Sequence, residues 1–154
     1  MVVNRQRRVR IAVDSLSDFL ETTRAALQFP KGSVGVQFVS DSAMATLNLK
    51  FRNKKGPTDV LSFPAEDNGS LTGRAARKNS SPLPDDGSYI GDIAIAPATA
   101  QRNALEYSRS LDEELRILIL HGMIHLAGYD HEVDDGQMNR LERQLRRRFG
   151  LSLS

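Results

Sequence analysis

Leu115 to Ile124 reads Leu-Arg-Ile-Leu-Ile-Leu-His-Gly-Met-Ile, apolar around most of the circumference of the helix that it predicts. A helix of that kind cannot lie on a surface with one side in water, so the rest of the 154-residue chain has to wrap it. The run also contains His121, with His125 one turn further on, and a histidine inside an enclosed helix is poorly placed for solvent decoration.

The elements available to do the wrapping follow from periodicity and punctuation. Val9–Val13 alternates and is β-branched, which predicts a strand, and Asp14 or Ser15 can cap a helix running to about Leu27. Val34–Val39 predicts a second strand, followed by a helix capped by Ser40 or Asp41 that carries Met44, Leu47 and Phe51 and stops at Gly56-Pro57. Val60–Phe63 and Tyr89–Ala96 predict two more strands, and Pro97 opens a helix ending near Ser108. The last third predicts helices over Leu111–Ala127 and Val133–Phe149, separated at Gly128 and closed by Gly150. Glu66–Ser88 has almost no apolar periodicity and is expected to be a flexible surface loop. The fold class is therefore α+β: a small mixed β-sheet of about four strands covered by about five helices, in a single domain over 1–154.

The chain contains no cysteine, which removes disulfides, Cys-type zinc fingers, iron–sulfur clusters and thiol nucleophiles and leaves His, Asp and Glu as metal ligands. No apolar run approaches the roughly 18 to 20 residues of a membrane span, so a cytoplasmic protein without a membrane partner is expected. The net charge is only +2, but arginines gather at both ends: Arg5, Arg7, Arg8 and Arg10, then Arg140, Arg143, Arg146, Arg147 and Arg148. These clusters permit nucleic-acid contact, and they equally fit a solvated helix face with arginines paired to Glu142 and its neighbours.

All three histidines fall between His121 and His131, in the order His-Gly-Met-Ile-His-Leu-Ala-Gly-Tyr-Asp-His. His121 and His125 emerge one turn apart from one face of a helix, close enough for both imidazoles to reach one ion at about 2.0–2.1 Å. A straight helix would carry position 131 away, so the chain must bend, and Gly128 supplies the positive φ that lets Tyr129-Asp130 return His131 to the metal. Three neutral histidines with one open position is the arrangement of a catalytic zinc, one Zn2+ ion per chain. The spacing is also that of metzincin zinc peptidases, a His-bearing helix followed by a glycine turn. Gly122 stands where those peptidases carry their general-base glutamate, so that reading needs a carboxylate from Asp130, Glu132, Asp134 or Asp135.

Together these residues resemble the signature of the YbeY family of rRNA-processing endoribonucleases. Leu47-Asn48, Phe51-Arg52 and Thr58-Asp59-Val60-Leu61-Ser62-Phe63-Pro64 are similar to that family's central motif, and Gly91-Asp92-Ile93 to its next strand. The resemblance implies a zinc-dependent, single-strand-specific endoribonuclease acting in maturation of the small-subunit rRNA 3′ end and in ribosome quality control. Its implied partners are single-stranded or ribosomal RNA, the small ribosomal subunit and a ribosome-assembly GTPase. It further implies His121, His125 and His131 as ligands and Arg52 as the basic residue of the cleft, holding phosphate and offsetting transition-state charge. Asp130 either orients a ligand imidazole or takes a proton from the attacking water or ribose hydroxyl. Asp59 and Ser62 serve the site or simply fix their strand. Two other functions fit the same residues: a zinc peptidase, and a non-catalytic, metal-stabilised ribosome-assembly factor.

Overall fold

The enclosed helix is present at the centre of the fold. In a computed structural model that describes residues 1–65, 89–129 and 134–153, it runs over Leu111–Leu126, and among its buried residues are Leu115, Ile119, Leu120, Met123 and Ile124. Ser110 caps it, its hydroxyl accepting the Glu113 N–H at 3.1 Å. In chain order the elements are β1 (Val2–Asn4), α1 (Val13–Ala26), β2 (Val34–Phe38), α2 (Asp41–Arg52), β3 (Val60–Pro64), β4 (Gly91–Ile95), α3 (Pro97–Glu106), α4 (Leu111–Leu126) and α5 (Gln137–Arg148). The sheet order is β1-β2-β4-β3, with β1, β2 and β4 parallel and β3 antiparallel to β4. Four strands in a mixed sheet and, among the described residues, five helices match the expected α+β class.

β4 is buried along its whole length, and its alternation divides the core. Ile93 and Ile95 pack with α1 and α4 through Leu16, Phe19, Ile119 and Met123. Ala94 and Ala96 belong to a second cluster with Met44, Leu61 and Phe63, which Leu47 and Phe51 of α2 help to cover. α4 touches α1, α3, α5, β3 and β4, which accounts for its apolar circumference. Truncating a fully enclosed side chain such as Leu120 to alanine carries a cost of about 2–5 kcal/mol.

The strand expected over Val9–Val13 does not form. The amide of Gln6 takes the place of a strand partner for Val9, accepting its N–H and donating to its carbonyl at 2.9 Å each, so the chain turns there. The first strand is instead Val2–Asn4, paired with Val36–Phe38. α1 then begins at Val13 behind Ala12, without the side-chain cap expected from Asp14 or Ser15. α5 begins later than expected, at Gln137, because Asp134 accepts the N–H groups of Gly136 and Met138 at 2.8 and 2.9 Å in a turn that starts the helix. The loop expected over 66–88 lies outside the described residues. Among the described residues, no helix is long and apolar enough to cross a membrane.

Candidate active site

α4 ends at Leu126, and its C-terminus is closed by a Schellman arrangement. The Gly128 N–H reaches the His125 carbonyl at 2.9 Å, and the Tyr129 N–H reaches that of Ile124 at 3.4 Å. Gly128 has φ +101°, a conformation that costs glycine no Cβ clash. The turn brings the Tyr129 carbonyl back over the last turn of the helix, where it lies 3.1 Å from Nδ1 of His125.

One turn earlier, Nδ1 of His121 lies 2.7 Å from Oε1 of Glu142 on α5. The second oxygen of Glu142 accepts from Arg146 at 2.5 Å, and Arg146 also donates to the Ser152 carbonyl at 3.0 Å. Burial pushes the Glu142 carboxyl up, but hydrogen bonding and charge from His121 and Arg146 outweigh it and hold the group below the usual carboxylate range. A carbonyl and an ionised carboxylate can only accept, so Nδ1 of each imidazole is the donor, and in the neutral ring Nε2 is left as the lone-pair atom.

Those two Nε2 atoms face each other at 3.2 Å, with the rings edge to face at 78°. With both rings neutral and protonated at Nδ1, two lone pairs meet there, an arrangement that a shared cation would relieve. Two nitrogens bound tetrahedrally at about 2.0–2.1 Å from one ion lie roughly 3.3 Å apart, a separation that this pair matches. The donor set and the locked tautomers thus fit a zinc ion. His131 and Asp130 lie outside the described residues, as does Glu132. Among the described residues, no group of three or more His, Asp or Glu side chains is arranged to hold an ion.

The pair opens onto a cavity of about 460 Å³ lined by Arg52, Asp59, Ser62, His121, His125 and Tyr129, among others. Arg52 is the last residue of α2, where Asn53 turns the chain with φ +56° and Asn48 anchors the following loop by donating to the Gly56 carbonyl at 2.9 Å. Arg52 therefore shares one wall system with both histidines, although the two segments are far apart in the chain. Asp59 and Ser62 have structural partners. Asp59 accepts from Asn103 at 3.1 Å, and the Ser62 hydroxyl donates to the Gly122 carbonyl at 3.3 Å, joining β3 to α4.

Gly122 is explained by packing. A Cβ there would stand 2.9 Å from Cδ1, 3.0 Å from Cγ2 and 3.1 Å from Cγ1 of Ile93, so any side chain would force the buried Ile93 to shift. A glutamate in the metzincin position has neither a residue nor room here. Asp134, one of the four carboxylates that could replace that glutamate, is occupied by backbone N–H groups.

Glu142, which holds the His121 ring, is not among the site residues expected from the sequence, where it stands only as a surface partner for arginines. A signal was present: Met138, Glu142 and Leu145 are spaced to share one face of α5, and both apolar members are buried, so the carboxylate stands on the inward stripe.

Comparison with known proteins gives a consistent result. The profile of the family described as Endoribonuclease YbeY matches residues 2–150. A protein named Endoribonuclease YbeY from Koribacter versatilis is 41% identical over 154 residues, covering all of this chain and 88% of its own. One of the same name from Nautilia profundicola is 40% identical over 114 residues, 74% of this chain and 70% of the relative. The solution structure of TM1509 from Thermotoga maritima superposes with a TM-score of 0.58 at 27% identity, covering 97% of this chain and 90% of that one.

Proposed function

The chain belongs to the YbeY endoribonuclease family, and on that premise we propose that it is a hydrolase that cleaves single-stranded RNA at one zinc ion held by His121, His125 and His131. The observation that carries the zinc assignment is the pair of Nε2 atoms 3.2 Å apart, with both Nδ1 protons committed elsewhere. When bound, the ion supplies Lewis acidity toward a phosphodiester and lowers the pKa of water.

The chain's own residues supply the rest. Glu142 and the Tyr129 carbonyl hold the two rings in orientation and tautomer. Arg52, on the cavity wall, grips the scissile phosphate through its planar fork and offsets charge gathering on the nonbridging oxygens. His121 and His125 already have their Nδ1 partners, so Asp130, next to the third ligand, is assigned the proton of the attacking water or ribose hydroxyl. Three neutral ligands leave the ion its full double charge, which favours a phosphate anion over a peptide.

The cellular role that follows is maturation of ribosomal RNA, at the small-subunit 3′ end, together with ribosome quality control. Its setting is cytoplasmic, with the small ribosomal subunit and a ribosome-assembly GTPase as partners. The test is incubation of zinc-loaded protein with single-stranded RNA and, separately, with casein, alongside His125→Ala. RNA cleavage by the wild type alone, with casein intact, is the expected result. Casein cleavage without RNA cleavage overturns it in favour of a peptidase, and metal-replete protein that cuts neither leaves a binding factor.

A further inference from the structure

A second cavity, of about 320 Å³, adjoins the first and shares Asp59, Val60 and His121 with it. Ile117 and Leu118 of α4 contribute apolar surface, and Tyr107, in the turn between α3 and α4, borders it with 54% of its surface exposed. The Arg109 guanidinium lies over the Tyr107 ring, 4.8 Å from its centroid, and holds the ring in place.

The charges in the wall separate two classes of occupant. Arg109 and Arg146 are opposed by Asp59 and Glu114, so the site has no excess of positive charge with which to take up a phosphate. Arg109 and Glu114 meet at 2.9 Å with their side chains only 7% and 5% exposed. Nε and Nη1 of Arg109 and Oε1 of Glu114 are shut off from solvent, so the pair neutralises itself inside the wall. Balanced charge, an apolar floor and an exposed aromatic ring on the border match a nucleobase, a flat and neutral group that stacks.

We propose that this second cavity receives the base of the nucleotide next to the scissile phosphate, with Tyr107 as its stacking platform. The proposal rests on the assignment of the first cavity to RNA cleavage, because the shared wall makes the second the next stop for a strand whose phosphate sits beside His121. Stacking accepts any base, so Tyr107 contributes affinity for unpaired nucleotides and not a sequence code.

The test pairs a protein change with a substrate change. Zinc-loaded wild type, Tyr107→Ala and Tyr107→Phe are mixed with fluorescent single-stranded RNA decamers, intact or with one abasic nucleotide at successive positions. Anisotropy is read by stopped flow before turnover, and cleavage is followed afterwards. Wild type should lose roughly tenfold in affinity when the base at one position is removed. Tyr107→Ala should bind the intact decamer equally weakly and lose nothing more at that position, and Tyr107→Phe should match wild type. Equal affinity of wild type and Tyr107→Ala, or a further loss in Tyr107→Ala at the abasic position, overturns the subsite. If RNA is cleaved normally without any Tyr107 effect, the subsite fails alone. If the stacking pattern appears without cleavage, the subsite stands and the proposed reaction fails.

Discussion

Glu142 accepts from His121 across the α4–α5 interface at 2.7 Å, and its other oxygen is held by Arg146. The orientation of the ring that faces His125 is therefore fixed from a different helix than the one that carries both histidines. Glu142→Gln keeps an acceptor but removes the charge, and it should weaken zinc binding by roughly 10–100-fold while α5 stays folded. Chelator competition read beside far-UV circular dichroism measures both, and unchanged affinity would remove Glu142 from the site. In the wild type, affinity should also fall as pH drops through the histidine range, because each ligand must shed a proton to bind.

Arg52 lines the cavity with both histidines but sits on α2, so its loss leaves the ligand scaffold untouched. Arg52→Ala should retain zinc and melting temperature and lose most RNA cleavage. Arg52→Lys should recover part of it, since an ammonium restores charge without the two-point fork. Metal content and cleavage rate on the same preparations decide the matter, and a metal-replete Arg52→Ala protein of full activity would exclude the residue.

Replacing a helix-interior glycine by alanine ordinarily stabilises by up to about 1 kcal/mol. At Gly122 the sign should reverse, because the new methyl meets three atoms of Ile93 at 2.9–3.1 Å and overpacking costs about 1–3 kcal/mol. Urea denaturation of Gly122→Ala, repeated in an Ile93→Ala background where the clash is gone, should show a loss in the first case and little or none in the second.

Asp41 joins the start of α2 to α3, accepting from Thr99 at 2.8 Å and Arg102 at 2.9 Å. Burial raises its carboxyl, but these hydrogen bonds and the charge of Arg102 prevail and hold it below its ordinary value. A depressed folded-state pKa gives stability that is present above the unfolded value of about 3.9 and lost as pH falls through the folded one. The melting temperature of Asp41→Asn should therefore lie below wild type at neutral pH and converge with it in acid. A gap that stays constant down to pH 2–3 would refute the linkage.

Much of this was legible in the chain because the signals were local. The i, i+4 histidines, the glycine that ends their helix and the alternation of Val34–Phe38 each depend on neighbours a few residues away. Val9 and Ile11 alternate as a strand does, whereas the Gln6 amide that turns the chain at Val9 carries no periodic signal, so the position of the first strand is not legible there. Glu142 was hidden for a different reason: its partner is 21 residues away on another helix, and the arginines around it suggest a solvated face. The absence of a glutamate at Gly122 was visible, but its cause, the approach of α4 to Ile93, exists only in the packed molecule.

β4 is buried on both faces and hydrogen-bonded on both edges, and α4 rests on it with Gly122 against Ile93. Segments so enclosed exchange their amide hydrogens only when the whole domain opens. The two histidines proposed as ligands are thus carried by the part of the molecule least able to fluctuate. Their conformational entropy is lost during folding and not when the ion arrives, so most of the gain in exchange protection on metal binding should fall on the turn at Ala127–Tyr129, beyond the last helical residue.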